Sequence, residues 1–325
     1  PNMGGKTGMT GYLEFYANGG RLDALKSPNR GNLVGYGTAP EGTENNEVVY
    51  ELICDAGWTA DSIPLKDWLQ NYTLCRYGKT DPAITQYWNE ITQSVYNNFT
   101  DHPRFVWQLR PGRSTKGTYQ IDSLFFTAIE KFAQAAPRLK DNPQYVDDLI
   151  ELSAQYAGGK MEVLVQNVIQ AAVWDEVGKT DSVASLFNDI ALATDRLLAA
   201  HPIYNLQRWI DFARNHATTP QEATYYEKNA KRIVTIWGPP VNDYSARIWS
   251  GLIRDFYAPR YKAYFQSLQT GQPFDYAKWE SNWVETSKGL SPVTPPTDKV
   301  QACLDLIEKA KPIFYKSTAL ADERE

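Results

Sequence analysis

The chain has 325 residues, a net charge of -5 and a pI near 5.4, and it carries no run of lysine or arginine that could track phosphates, so nucleic acid is excluded as a partner. With 42% hydrophobic residues it can bury a core much larger than a small binding module has. Cys54, Cys75 and Cys303 are odd in number and widely spaced, and His102, His201 and His216 lack a Cys or His partner at ligand spacing. Neither a disulfide framework nor a metal site is expected, and the histidines read as structural or solvent-facing.

The chain opens on Pro1-Asn-Met-Gly-Gly-Lys-Thr-Gly8, with no initiator methionine, hydrophobic leader or membrane segment, and we read its natural start as removed. Leu33 to Tyr36 is a short strand candidate, with Gly35 and Gly37 expected to let neighbouring groups approach closely. The strand ends at Pro40-Glu41-Gly42, whose proline and glycine turn the chain. On its own such a triplet is most simply a solvated turn. At the carboxyl end of a β/α-barrel strand it would instead aim the Glu41 carboxylate at the chemistry. A helix is expected through Val48 to Asp55, and Glu47 lies at its start, where the helix dipole favours a carboxylate.

Beyond about residue 62 helical periodicity takes over. Leu65, Trp68, Leu69, Tyr72 and Cys75 share one helix face, as do Ile121, Leu124, Phe125, Ala128, Ile129 and Phe132, and again Val183, Leu186, Phe187, Ile190, Leu197 and Leu198. Thr219-Pro-Gln-Glu222 reads as a capping box that opens a further helix. Breaks are expected at Asp141-Asn-Pro143, Gly158-Gly159, His201-Pro202 and Thr270-Gly-Gln-Pro273, separating some eight to ten helices. The pairs Asp147-Asp148 and Glu323 with Glu325 read as solvated charge. Asn71-Tyr-Thr73 and Asn98-Phe-Thr100 are formal glycosylation triplets of a kind that arises by chance.

Several stretches resemble the α-N-acetylglucosaminidases, the retaining glycoside hydrolase family 89. They are Pro1 to Gly8, Gly35 to Tyr50 (GYGTAPEGTENNEVVY), Ala56-Gly-Trp58, Arg76-Tyr-Gly78, Tyr226-Glu-Lys-Asn229 through Ile236-Trp-Gly-Pro239, Asp243-Tyr244, and Phe256-Tyr-Ala-Pro-Arg-Tyr261. They occur in family order across most of the chain. The resemblance implies a mainly α chain: residues 1–62 are the last strands and loops of a (β/α)8 barrel, and residues 63–325 are an all-α C-terminal domain that completes the active-site cleft. A whole barrel takes about 250 residues. The N-terminal barrel half is therefore expected as a partner absent from this chain.

The same resemblance makes Glu41 the catalytic nucleophile and places the general acid outside this chain. Asn2 and Met3 match the sugar-lining pair before Gly-Gly, with Met3 standing where other members carry an aromatic. Trp237 and Tyr244 match two rings that reach the bound sugar from the helical domain. Val241 is the aliphatic candidate between them, in a segment shorter than the family's. Without the resemblance, Trp237 reads equally as a core ring at the end of the stripe Ala230, Ile233, Val234, Trp237. The Gly-Pro-Pro after it favours a loop edge. Glu47 is expected to cap its helix or to orient the loop that carries Glu41, and Arg76 and Arg260 to pair with carboxylates between helices.

The function so implied is removal of terminal α-linked N-acetylglucosamine by double displacement, with no metal or organic cofactor, in an extracytoplasmic setting. Two alternatives stay open: an all-α carbohydrate-binding or scaffolding fragment without turnover, and a barrel glycosidase of different sugar specificity.

Overall fold

The computed structural model describes residues 8–100, 103–112, 121–174, 176–238, 242–286 and 289–314. Fourteen α-helices make up most of what is described. In the first stretch α1 (Leu13–Asn18), α2 (Gly20–Lys26) and α3 (Glu47–Ala56) are joined by irregular chain. The two-residue strands β1 (Gly11–Tyr12) and β2 (Asn97–Asn98) pair antiparallel, Gly11 opposite Asn98. Then follow α4 (Leu65–Tyr77), α5 (Pro82–Ile91), α6 (Ser123–Ala133), α7 (Ala136–Leu139), α8 (Pro143–Val173) and α9 (Val177–Leu198). The series ends with α10 (Leu206–Asn215), α11 (Pro220–Ile233), α12 (Ala258–Thr270), α13 (Tyr276–Glu285) and α14 (Lys299–Ala310).

The axis of the assembly is α8, which at 31 residues is about 46 Å long. Asn142 caps it by accepting the Tyr145 N–H at 2.8 Å, with Pro143 in the first turn. Every residue from Leu152 to Met161 is buried, so its middle has no solvent face. It packs against α9 on one flank and α14 on another. The expected break at Gly158-Gly159 does not occur. A Cβ at Gly158 would lie 2.4 Å from the Phe105 ring, and one at Gly159 would lie 2.6 Å from Ile121 Cδ1. These glycines admit neighbours to the helix surface; they do not end the helix.

The other breaks are as expected. Asp141–Asn142 separates α7 from α8, His201-Pro202 lies between α9 and α10, and Gly271 ends α12 at φ 67°. Thr219 caps α11 by accepting the Glu222 N–H at 3.2 Å. Glu222 reaches one residue further back than a capping box requires, accepting from the Thr218 N–H and hydroxyl at 2.7 Å each.

Leu33 to Tyr36, expected as a strand, forms no ladder among the described residues. A strand has no stability without a neighbour to hydrogen-bond. The segment is tied to α3 by the Tyr36 hydroxyl, which donates to the Ile53 carbonyl. Val34 is fully exposed, and no described atom lies within 4 Å of a Cβ placed on Gly35 or Gly37, so the close approach expected there is not observed. The segment borders an open apolar hollow of about 550 Å³, lined among others by Phe15, Leu25, Leu33, Val34 and Phe99.

The inner face of α3, namely Val48, Val49, Leu52, Ile53 and Ala56, belongs to the same apolar cluster that runs through α8 to Ile313. The loop before α3 is thereby fixed against the helical region. That loop carries Glu41.

Candidate active site

Glu41 stands exposed on the loop that precedes α3, and the residue that reaches it lies 203 positions downstream. The Tyr244 hydroxyl donates to Glu41 Oε2 at 2.5 Å, and the Trp237 ring packs against Tyr244 with centroids 5.2 Å apart. The Trp237 side chain is 41% exposed. It lies past the end of α11, at φ 48°, with its N–H bonded to the Arg232 carbonyl at 2.8 Å. It is therefore a ring at a loop edge, and the core reading of the Ala230 to Trp237 stripe does not hold.

The backbone beneath this aromatic pair is held in place from the core. Asp243 has φ 58°, a left-handed conformation that costs a non-glycine residue about 1–2 kcal/mol. It is offset by a dense set of partners. Asp243 accepts from Arg260 Nη1 at 3.0 Å and from the Arg110 N–H at 3.0 Å, while its own N–H bonds the Thr235 carbonyl at 2.9 Å and its carbonyl accepts from Arg104 at 2.8 Å. Arg260 is fully buried and also donates to Glu280 at 2.9 Å and to the Gln108 carbonyl at 2.7 Å. Arg110 pairs with the same Glu280. Two cations thus face two carboxylates, so the buried charge is balanced, and the anchoring role expected of Arg260 is observed.

The loop itself is gripped at several further points. The Tyr50 hydroxyl donates to the Gly42 carbonyl at 2.8 Å, Tyr204 donates to the Glu44 carbonyl at 2.6 Å, and Arg247 Nε donates to Glu44 Oε1 at 3.0 Å. Asn45 and Asn46 are buried. Both side chains donate to the Gly8 carbonyl, and the Asn46 carbonyl oxygen accepts from the Thr10 N–H and the Tyr96 hydroxyl. Asn46 sits at φ 62° as the N-cap of α3. Asparagine is one of the few residues with a side chain suited to that conformation.

Glu47 opens α3 and lines a small cavity of about 30 Å³ together with Asp148, Glu151, Tyr77 and Tyr87. Arg76, the cation of this group, is taken up by Asp148 in a two-pronged pair at 2.6 Å, and Tyr77 donates to the same carboxylate at 2.7 Å. Asp148, read as solvated charge, is therefore a partly buried bridge between α4 and α8, and the anchor expected of Arg76 is present. Burial, with Asp148 next, pushes the Glu47 carboxyl up to about 7. Burial, then Glu47 and Asp148, hold Glu151 well above the usual carboxylate range. Burial pushes His201 down to about 4, and its ring stacks on Tyr204 at 4.2 Å.

Of the residues singled out in the sequence, Glu41, Trp237 and Tyr244 come together, Glu47 lines the cavity it shares with Asp148 and Glu151, and Asn2, Met3 and Val241 lie outside the described residues. Of the supporting residues, Arg247 and Tyr204 lie outside any matched motif, and Asp243 and Glu44 lie inside matched stretches that do not disclose their supporting contacts. Among the described residues no three His, Cys, Asp or Glu are grouped to hold a metal ion, and no helix is long and apolar enough to cross a membrane.

Residues 1–60 match the family model of the alpha-N-acetylglucosaminidase (NAGLU) tim-barrel domain, and residues 68–309 match that of the NAGLU C-terminal domain. A human alpha-N-acetylglucosaminidase is 30% identical over 330 residues, spanning 97% of this chain and 44% of its own length. Among solved structures, a family 89 glycoside hydrolase from Clostridium perfringens in complex with 2-acetamido-1,2-dideoxynojirmycin superposes with a TM-score of 0.86. Its identity is 27%, and the match covers 95% of this chain and 38% of that one. The same TM-score and identity hold for a C. perfringens family 89 enzyme with two glutamates replaced by glutamine, bound to its substrate GlcNAc-α-1,4-galactose. That match covers 94% of this chain and 38% of that one. The chain thus spans less than half the length of the relatives it matches.

Proposed function

Because the chain belongs to the alpha-N-acetylglucosaminidase family, we propose that it supplies the nucleophile half of a glycosidase that removes terminal α-linked N-acetylglucosamine with retention. In this reading residues 1–62 are the closing part of a (β/α)8 barrel and residues 63–325 the helical domain that completes the cleft. The protein works outside the cytoplasm, as the resemblance suggests.

The observation that carries the proposal is the junction of Glu41 with Tyr244 and Trp237. A carboxylate on a loop, held by a phenol and flanked by a half-exposed indole, has the makings of a sugar site. The indole offers an apolar face to a pyranose, and the carboxylate offers an oxygen to the anomeric carbon. Retention requires two carboxyl groups about 5 Å apart, one attacking and one protonating the leaving oxygen. Glu41 takes the first role. Its partner is assigned, by the family resemblance, to a barrel strand outside this chain, and Glu47 lines the cavity it shares with Asp148 and Glu151. In the first half-reaction Glu41 Oε1 or Oε2 bonds to the anomeric carbon as the glycosidic bond breaks and the acid protonates the leaving oxygen. In the second, water cleaves the resulting ester and restores the carboxylate. The Tyr244 hydroxyl, already on one carboxylate oxygen, orients the other for attack. Asn2 and Met3, with Val241, are proposed to line the sugar pocket.

The test is release of aryl alcohol from an aryl α-N-acetylglucosaminide by the full-length protein that contains this chain, with and without Glu41→Gln. Activity that the substitution abolishes supports the reading. Cleavage of a different glycoside keeps the role of Glu41 and corrects the sugar. Binding of sugars with no turnover of any glycoside returns the chain to a binding or scaffolding function.

A further inference from the structure

The two contacts between the Glu41 loop and the segment after α11 share one offset. Tyr244 meets Glu41 and Arg247 meets Glu44, each 203 residues apart, so the two segments run alongside each other in register. From this we infer that Arg247, through Glu44, is a positioning residue for the Glu41 carboxylate, an inference that rests on Glu41 being the nucleophile.

Arg247 is suited to the task because it is fixed before it reaches the loop. Only 7% of its side chain is exposed. Its Nη1 donates to the Ser245 carbonyl at 3.1 Å and to the Ser245 hydroxyl at 3.0 Å, its N–H bonds the Tyr257 hydroxyl at 3.2 Å, and its guanidinium lies 5.6 Å from the Trp249 ring centroid. The free fork edge, Nε, points at Glu44. Tyr204 takes the Glu44 carbonyl from another side, so both the main chain and the side chain of Glu44 are pinned to the helical region. Lysine has no planar fork and could not hold Ser245 and Glu44 together in this geometry.

A pin three residues from a nucleophile acts on its placement. Tyr244 holds the carboxylate itself, and the grip of Arg247 on Glu44 holds the loop that carries it. Misplacement of a reacting atom by about 1 Å can cost about 100-fold in rate. The placement of a nucleophile counts most in the transition state, so the loss should fall on kcat.

The experiment compares Arg247→Gln, Glu44→Gln, Arg247→Lys and the Arg247→Gln/Glu44→Gln double variant in the full-length protein. Readouts are kcat and KM on an aryl α-N-acetylglucosaminide and amide exchange of the peptide covering residues 41–52. We expect each Gln variant to lose about 10- to 100-fold in kcat with KM changed by less than about threefold. The double variant should lose no more than the worse single one, because both changes break one contact. Exchange at 41–52 should quicken in both Gln variants, with Arg247→Lys in between. The isosteric Glu44→Gln keeps the result interpretable if Arg247→Gln fails to fold. Wild-type kcat and exchange in a folded Glu44→Gln variant, a loss confined to KM, or losses that multiply in the double variant would overturn the inference. If the wild type cleaves no glycoside, the functional reading falls and exchange decides alone: quickened exchange upholds the clamp, and unchanged exchange removes it.

Discussion

Tyr244 donates its hydroxyl proton to Glu41 across 203 residues of sequence at an O···O distance of 2.5 Å, so the carboxylate on the barrel-end loop is completed by the helical region. A hydrogen bond from a phenol to a carboxylate is worth more than one between neutral groups. Tyr244→Phe keeps the ring against Trp237 and removes the hydroxyl that makes this bond. We expect kcat of the full-length protein to fall about 10- to 100-fold while KM changes little, since under the proposed function the lost contact orients the nucleophile. Trp237→Ala should do the reverse and act mainly through KM. Steady-state kinetics on one aryl glycoside separates the two effects.

Arg260 supports the Tyr244 ring through Asp243. It is fully buried between Asp243 and Glu280, and Asp243 holds the left-handed turn directly before Tyr244. Replacing Arg260 with methionine leaves two carboxylates facing each other with Arg110 as the nearest cation. Breaking a buried pair in this way costs about 3–5 kcal/mol. Urea denaturation should show that loss. Arg260→Lys should recover only part of it, because one ammonium cannot reach Asp243, Glu280 and the Gln108 carbonyl with the geometry of a guanidinium.

The helix centre supplies a case where two effects oppose each other. Gly158→Ala raises helix propensity by about 1 kcal/mol, but the added methyl would meet the Phe105 ring at 2.4 Å. Overpacking in a well-filled core costs about 1–3 kcal/mol, and Phe105 is itself fully buried and stacked on Trp107. Packing should win. Thermal melting of Gly158→Ala is expected to show a lower midpoint than the wild type, and Gly178→Ala, with no neighbour within 4 Å of its Cβ, a higher one.

These glycines also mark where sequence reading stops. Helices with a regular apolar stripe, such as α4, α6 and α9, were legible because one face of a helix repeats at 3.6 residues. Gly158-Gly159 has the composition of a break, and only the Phe105 and Ile121 side chains, brought in from elsewhere in the chain, turn it into a contact surface. Leu33 to Tyr36 has the composition of a strand, and a strand exists only with a partner. Asp148 sits in an acidic pair that looks solvated, and its Arg76 partner lies 72 residues away. For the site, Glu41, Trp237 and Tyr244 were reached through family motifs. The pairing of Glu44, which lies inside one of those motifs, with Arg247 was not legible, because nothing in either local sequence announces it.

The Glu47, Asp148 and Glu151 group makes a prediction about pH whose sign can be worked out. Facing Glu47 are Asp148 and Glu151 from α8, Arg76, Tyr72 and Tyr77 from α4, Tyr87 from α5, Glu51 from α3 itself, and Tyr204 from the loop before α10, while His201 of the same loop acts on Asp148. Arg76 is committed to Asp148, so ionising Glu47 or Glu151 adds a poorly balanced negative charge. Burial first, then Asp148, raises Glu47 from an ordinary 4.5 to about 7. A carboxyl raised on folding binds more protons folded than unfolded. Its contribution is therefore complete below about pH 4.5 and is lost as pH rises through about 7. Asp81 has the opposite sign. Arg138 holds it below its usual range, so its contribution is lost only in stronger acid. His201, pushed down to about 4 by burial, works the other way below about pH 6.5, but Glu47, Glu151 and Glu162 are all raised by burial and together outweigh one imidazole, so melting temperature should be higher at pH 5 than at pH 7.5 and fall again in strong acid. Glu151→Gln should flatten the fall between 5 and 7.5 by removing one of the crowded charges. A wild-type stability that rises steadily from pH 5 to 7.5, or a Glu151→Gln curve parallel to it, would mean that water entering the cavity solvates these carboxylates and that the group does not store a proton.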